Sequence, residues 1–179
     1  SKQATFEGGG APVRLELNSV PGQAVNADFF LGELDNAVRY FAAMFGAYPY
    51  ETFGAAQHPF GFGQGFPTLL MIPNVQRTGV TVKDSDVFSF IAHETSHQWW
   101  GNIVAWRSYR DQWLSEGFAE YSGVQYAARR GTDATKTTLE LVRALRDSLR
   151  DVPRTVTGAG KGRLNDIGPI VEGLHLNST

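Results

Sequence analysis

Two histidines one helical turn apart, with a glutamate beside the first, are where this chain can do chemistry: His93-Glu94-Thr95-Ser96-His97. On a helix, positions i and i+4 share a face, with Cβ atoms about 6 Å apart. Two imidazoles at that spacing can each aim a ring nitrogen at one ion. The carboxylate of Glu94 then points beside the ion, where it can reach a water held there. The bland alternative is a surface helix that carries two histidines by chance. Placement of the motif on an expected helix favours the metal reading.

A catalytic zinc takes three protein ligands and keeps one position open. The chain has no cysteine, so the third ligand must be His, Asp or Glu. His58 and His175 are lone histidines in loop-like stretches. Glu116 is the better candidate, inside Trp113-Leu114-Ser115-Glu116-Gly117-Phe118-Ala119-Glu120-Tyr121, near the start of the next expected helix. Two helices joined by a connection of this length can pack side by side, which lets Glu116 face the histidine pair. Taken alone, a helical glutamate is more often a solvated residue.

Eighteen residues separate His97 from Glu116, an HExxH-x18-E spacing. With its flanks, this resembles the gluzincin metallopeptidases, and among them the M1 aminopeptidase family. His97-Gln98-Trp99-Trp100-Gly101-Asn102 is similar to the family's HQWFGN, and Trp113 to Ala119 is similar to its WLNEGFA. Phe45-Gly46-Ala47-Tyr48-Pro49-Tyr50 resembles its FGxYPY lead-in, and Gly168-Pro169-Ile170-Val171 a later segment, so the resemblance runs from about residue 28 to 176.

The resemblance and the residues lead to the same roles. His93, His97 and Glu116 hold one Zn2+, and Glu94 is the general base that takes a proton from water and returns it to the leaving amine. The ion acidifies that water and polarises the scissile carbonyl. Peptides are the expected substrate. Glu120, one turn beyond Glu116, and Asp111 are candidates to orient an imidazole from behind, against the plain reading of surface carboxylates. Two family features are missing. The family's GxMEN motif carries a glutamate that anchors a free amino terminus. The matching stretch here is Phe62-Gly63-Gln64-Gly65-Phe66-Pro67-Thr68, with Gly65 where that glutamate would stand. Gln64, Gly65 and Thr68 are the expected substrate contacts. Backbone groups over Thr68–Met71 are expected to bind an extended peptide by strand addition. An endo- or oligopeptidase on the same scaffold, or a non-catalytic peptide-binding domain stapled by zinc, are the alternatives. The family's oxyanion-stabilising tyrosine, the second missing feature, would fall after Thr179.

The elements that must position these residues are legible in the hydrophobic pattern. Val13 to Leu17 alternates, as a half-buried strand does. Residues 28–45 repeat Leu31, Leu34, Val38, Phe41 and Phe45 at helical spacing, stopped by Gly46. Ala55–Gln57 and Thr68–Ile72 read as short strands. A helix from Lys83-Asp84-Ser85-Asp86 to near Gly101 carries the HExxH motif. Helices follow over Gln112–Arg129 and Ala134–Arg150, the latter with Leu139, Val142, Leu145 and Leu149 inward, and the tail from Thr155 is expected to be loop. The four tryptophans, Trp99, Trp100, Trp106 and Trp113, are expected in the core. Together with these elements, the resemblance implies an α+β fold of thermolysin-like kind: a small mixed sheet around 11–17 and 55–73, with its edge strand lining the cleft, beside the helices that carry the zinc motifs.

Composition excludes several classes. A net charge of −2 lacks the basic footprint of a nucleic-acid binder, and no apolar run approaches a membrane span. Oligomeric state and localisation leave no sequence signal, and the opening at Ser1, without Met, reads as an excised piece. Residues 1–179 are therefore expected to be one partial catalytic domain that binds zinc and hydrolyses peptides poorly. Zinc content and peptide turnover of these residues alone check this, and robust turnover would overturn it.

Overall fold

The alternation at Val13, Leu15 and Leu17 produces strand β2, Pro12–Asn18, with those three residues buried and Arg14 turned outward. In the computed structural model, residues 2–7, 12–19, 27–59, 63–73 and 84–151 are described. Around β2 lie β1, Lys2–Glu7, β3, Thr52–His58, β4, Gln64–Phe66, and β5, Leu69–Pro73, in the order β1-β2-β3-β5-β4. The β1/β2 and β4/β5 pairs are antiparallel, and the β2/β3 and β3/β5 pairs are parallel. The sheet is thus mixed, as expected, but larger: β1 and β4 carry too few alternating positions to be read from the sequence. β5 lies between β3 and β4. Its ladder groups are used on both sides, so the outer strand is Gln64–Phe66 and not Thr68–Met71.

Helix α1, Ala27–Phe45, lays its expected stripe on the sheet, with Leu31, Leu34, Val38 and Phe41 buried. Phe41 is central. Its ring stands 5.4 Å from Phe45, 6.2 Å from Trp99 and 6.3 Å from Tyr126, joining α1 to the elements of the candidate site. Full burial of such a ring stabilises by about 2–3 kcal/mol relative to exposure.

Helix α2 runs over Asp84–Ser96, shorter than the expected end near Gly101. Past Ser96 the chain tightens, with Gln98 N–H donating to Thr95 O at 3.0 Å and Trp99 N–H to Ser96 O at 2.9 Å. His97 therefore sits on the tightened last turn rather than mid-helix.

A 3-10 turn, Tyr109–Asp111, leads into α3, Gln112–Arg130, and α4 covers Ala134–Asp151. α3 buries Ser115, Ala119, Ser122 and Gly123, and this small-residue face lets it approach α2 closely. A Cβ at Gly123 would stand 2.7 Å from the Ser89 carbonyl oxygen, so any other residue there would push the helices apart. At the far end, the buried Glu33 of α1 accepts from Tyr126 Oη at 2.8 Å and from Arg130 at 2.6 and 3.2 Å. That contact sets α3 against α1.

Two core expectations fail. Trp99 is buried, but Trp106 and Trp113 are 40% and 41% exposed. Trp113 lies on the outer face of α3 with Leu114, Phe118 and Tyr121, opposite the small-residue face that meets α2. On α4, Leu141 is buried against Val124, Ala127 and Phe88, while Leu139, Val142 and Leu145 are exposed. The helix is turned so that a different stripe meets α3. The expected tail and His175 lie outside the described residues.

Candidate metal centre

The close crossing of α2 and α3 brings two helical faces together. On α2, Ser89, His93 and His97 share one face. On α3, Glu116, Ala119, Glu120 and Gly123 share the facing one. The result is a triangle of ligand atoms. His93 Nε2 and His97 Nε2 are 3.2 Å apart, and Glu116 Oε2 is 3.5 Å from each.

Both imidazoles are held from behind. His93 Nδ1–H donates to Glu120 Oε2 at 3.0 Å, and His97 Nδ1–H donates to the Trp100 carbonyl oxygen at 2.9 Å. A carbonyl or a carboxylate can only accept, so each Nδ1 carries the hydrogen and each Nε2 turns its lone pair toward the triangle. Asp111, the other candidate for that task, is committed elsewhere. Its Oδ2 accepts from Ser108 N–H at 3.1 Å and Ser108 Oγ at 2.9 Å, closing the turn that starts α3.

The triangle fits a divalent ion without rearrangement. Tetrahedral zinc with bonds of about 2.0–2.1 Å holds its ligand atoms about 3.3–3.4 Å apart. Glu94 also offers a carboxylate oxygen, within 4.8 Å of ligand atoms on both histidines. The Glu116 set is tighter and equidistant from both nitrogens, so it is the better ligand triangle. Glu94 is left beside it, 6% exposed.

The charged groups of the site act strongly on one another. Burial works against a charged His93, but hydrogen bonds to Glu116 and Glu120 outweigh it and raise the imidazole from 6.5 to about 9. Hydrogen bonds that His93 and His97 donate in their protonated forms hold the Glu116 carboxyl far below the ordinary range. Burial raises Glu94, opposed by the two imidazoles and reinforced by Glu116.

The β4–β5 hairpin forms the other wall. A Cβ at Gly65 would stand 2.8 Å from both the Glu94 carbonyl oxygen and His97 Cβ. At Gly63 it would stand 2.5 Å from Glu94 Oε1. Only glycine lets the strand come this near. Gly65 therefore gives close approach, and its face is turned to α2. Gln64 is exposed on the other face of β4. The main-chain groups of Thr68 are used within the fold: its N–H donates to Gln98 Oε1 at 2.8 Å and its carbonyl accepts from Gly54 N–H at 2.8 Å. His58 is buried at the end of β3. Gln98 was missed from sequence because a glutamine beside a ligand carries no signal of burial. Beside His93 and Glu94 opens a cleft of about 420 Å³, with Phe90, Leu141 and Leu145 as apolar lining and Asp86 and Glu120 as acidic lining.

Comparisons with known proteins agree on one family. A model of the Peptidase family M1 domain matches residues 60–157, more than half of the chain. Aminopeptidase Ey of Gallus gallus is 46% identical over 55 residues, covering 31% of this chain and 5% of that protein. Glutamyl aminopeptidase of Bos taurus is 54% identical over 46 residues, covering 24% of this chain and 5% of its own length. An M1 zinc metallopeptidase from Deinococcus radiodurans superposes with a TM-score of 0.61 at 25% identity, over 85% of this chain and 33% of that one. The chain thus spans about a third of that structural relative, and the matched segments are a small part of the curated ones.

The charge balance predicts a pH dependence. The folded His93 value, about 9, lies above its ordinary 6.5, so its stabilisation is complete below about pH 6.5 and lost as pH rises through 9. Glu116 has the opposite sign: its stabilisation is present above its ordinary 4.5 and lost in acid. Chelator-treated protein is therefore expected to melt at lower temperature at pH 9.5 than at pH 6, with a smaller drop in His93→Gln. An equal or higher midpoint at pH 9.5 would refute this.

Proposed function

The chain belongs to peptidase family M1, and from that premise we propose that it is part of the catalytic domain of a zinc peptidase that hydrolyses peptide bonds. His93, His97 and Glu116 would hold one zinc ion. The observation that carries the reading is the triangle of their ligand atoms, with edges of 3.2, 3.5 and 3.5 Å. Zinc, when bound, supplies a Lewis acid that acidifies water and polarises a carbonyl.

The chain's own residues do the rest. Trp100 O and Glu120 keep both Nε2 lone pairs on target. Glu94 is the general base: its carboxylate lies within reach of the pair yet outside the tighter triangle. Burial favours its protonated form, which suits a group that takes a proton and returns it to the leaving amine. The cleft beside His93 and Glu94 gives a substrate side chain a largely apolar seat. A purely structural zinc site has no use for a buried carboxylate at this place. Glu94→Gln is expected to lower kcat at least a hundredfold in the full-length protein while zinc content stays the same. Zinc lost together with activity would point to a ligand instead.

A second reading concerns specificity and has its own observation. From Gly63 to Pro73 the hairpin carries no acidic residue, and a side chain at Gly65 would run into the Glu94 backbone. An anionic anchor for a free amino terminus is therefore missing from this strand. This favours an endo- or oligopeptidase over a strict aminopeptidase. Full-length protein should then cleave amino-terminally blocked and free peptides with similar kcat/KM. A preference above a hundredfold for the free amine would decide for the aminopeptidase.

A further inference from the structure

Gln98 follows His97 directly and is fully buried, and its side-chain hydrogen bonds go to Tyr48, Phe66 and Thr68 rather than to the ligand triangle. Its carboxamide reaches the hairpin instead. Nε2–H donates to the Phe66 carbonyl oxygen at 2.8 Å, and Oε1 accepts from Thr68 N–H at 2.8 Å. The Tyr48 hydroxyl lies 3.4 Å from the same oxygen. One planar amide thus grips both ends of the Pro67 turn, with a donor for a carbonyl and an acceptor for an N–H.

That turn needs a grip. Thr68 has φ of +67°, a left-handed conformation that a β-branched residue rarely adopts. The strand it carries, β4, is the outer strand of the sheet and touches His97 Cβ and the Glu94 backbone through Gly65. The tie to Gln98 therefore spans consecutive residues: His97 faces the triangle and Gln98 holds the hairpin beside it.

We infer that Gln98 is a positioning residue that sets strand β4 against the imidazole pair, and with it the seat of an extended peptide bound along that edge. The role for substrate rests on the peptidase reading above. The clamp itself rests on the contacts alone.

The test compares zinc-loaded full-length protein with Gln98→Met, which removes both bonds at similar volume. Gln98→Glu is the second variant: it keeps the acceptor but sets an oxygen against Phe66 O. Amide hydrogen exchange over residues 63–73 is expected to speed up at least tenfold in Gln98→Met, with residues 112–130 unchanged. Two such bonds are worth about three- to tenfold each. KM for a five-residue peptide should therefore rise at least tenfold, with kcat within threefold. KM for a single-residue arylamide, which does not lie along the strand, should change less than threefold, and zinc content should hold. Unchanged exchange over 63–73, equal losses on both substrates, or loss of zinc in both variants would overturn the inference. If the unmodified protein hydrolyses neither substrate, the peptidase reading fails, and the exchange measurement alone decides the clamp.

Discussion

The closeness of α2 to α3 governs the geometry of the candidate site. Gly123 lies against the Ser89 backbone with no space for a methyl group. One turn away on each helix stand His93 and Glu120, and one turn further His97 and Glu116. A ligand triangle with edges near 3.3 Å tolerates only tenths of an ångström. Small side chains on α3 therefore matter as much as the ligands, because they set the distance across which a carboxylate meets two imidazoles. Three carboxylates, Glu94, Glu116 and Glu120, crowd that pair. Their charge favours a cation there, be it a proton on His93 or a metal ion.

Three consecutive residues then distribute the site's connections. His97 turns one nitrogen to the triangle and the other to Trp100 O. Gln98 holds the hairpin. Trp99 enters the core beside Phe41, Phe45 and Tyr48, and its Nε1–H donates to Gly46 O at 3.2 Å. Candidate ligand, β4–β5 hairpin and hydrophobic core are thereby tied to one stretch of backbone.

Glycine on the face of β4 toward α2 has a chemical consequence. It brings the strand against the helix and removes any side chain from the place nearest Glu94. The same choice that gives close packing leaves only main-chain groups on that face of the strand. Family membership alone does not put a carboxylate on this strand, since residues 63–73 include no Asp or Glu.

The side chains that converge at the candidate site and the order of helices could be read from the sequence. His93, Glu94, His97 and Glu116 are chemically distinctive and sit at spacings with few uses, and the α1 stripe at Leu31, Leu34, Val38 and Phe41 repeats strongly. The sequence also placed Glu120 near the pair, but it could not choose between Glu120 and Asp111. That choice depends on which way α3 rotates, and small residues far along the chain decide it. Nor could it tell that Thr68 is committed to a turn, that Gln98 is buried, or that Leu141 and not Leu139 meets the core. Each of these is a contact between elements distant in sequence, made by side chains whose local pattern is the same whether or not the contact forms.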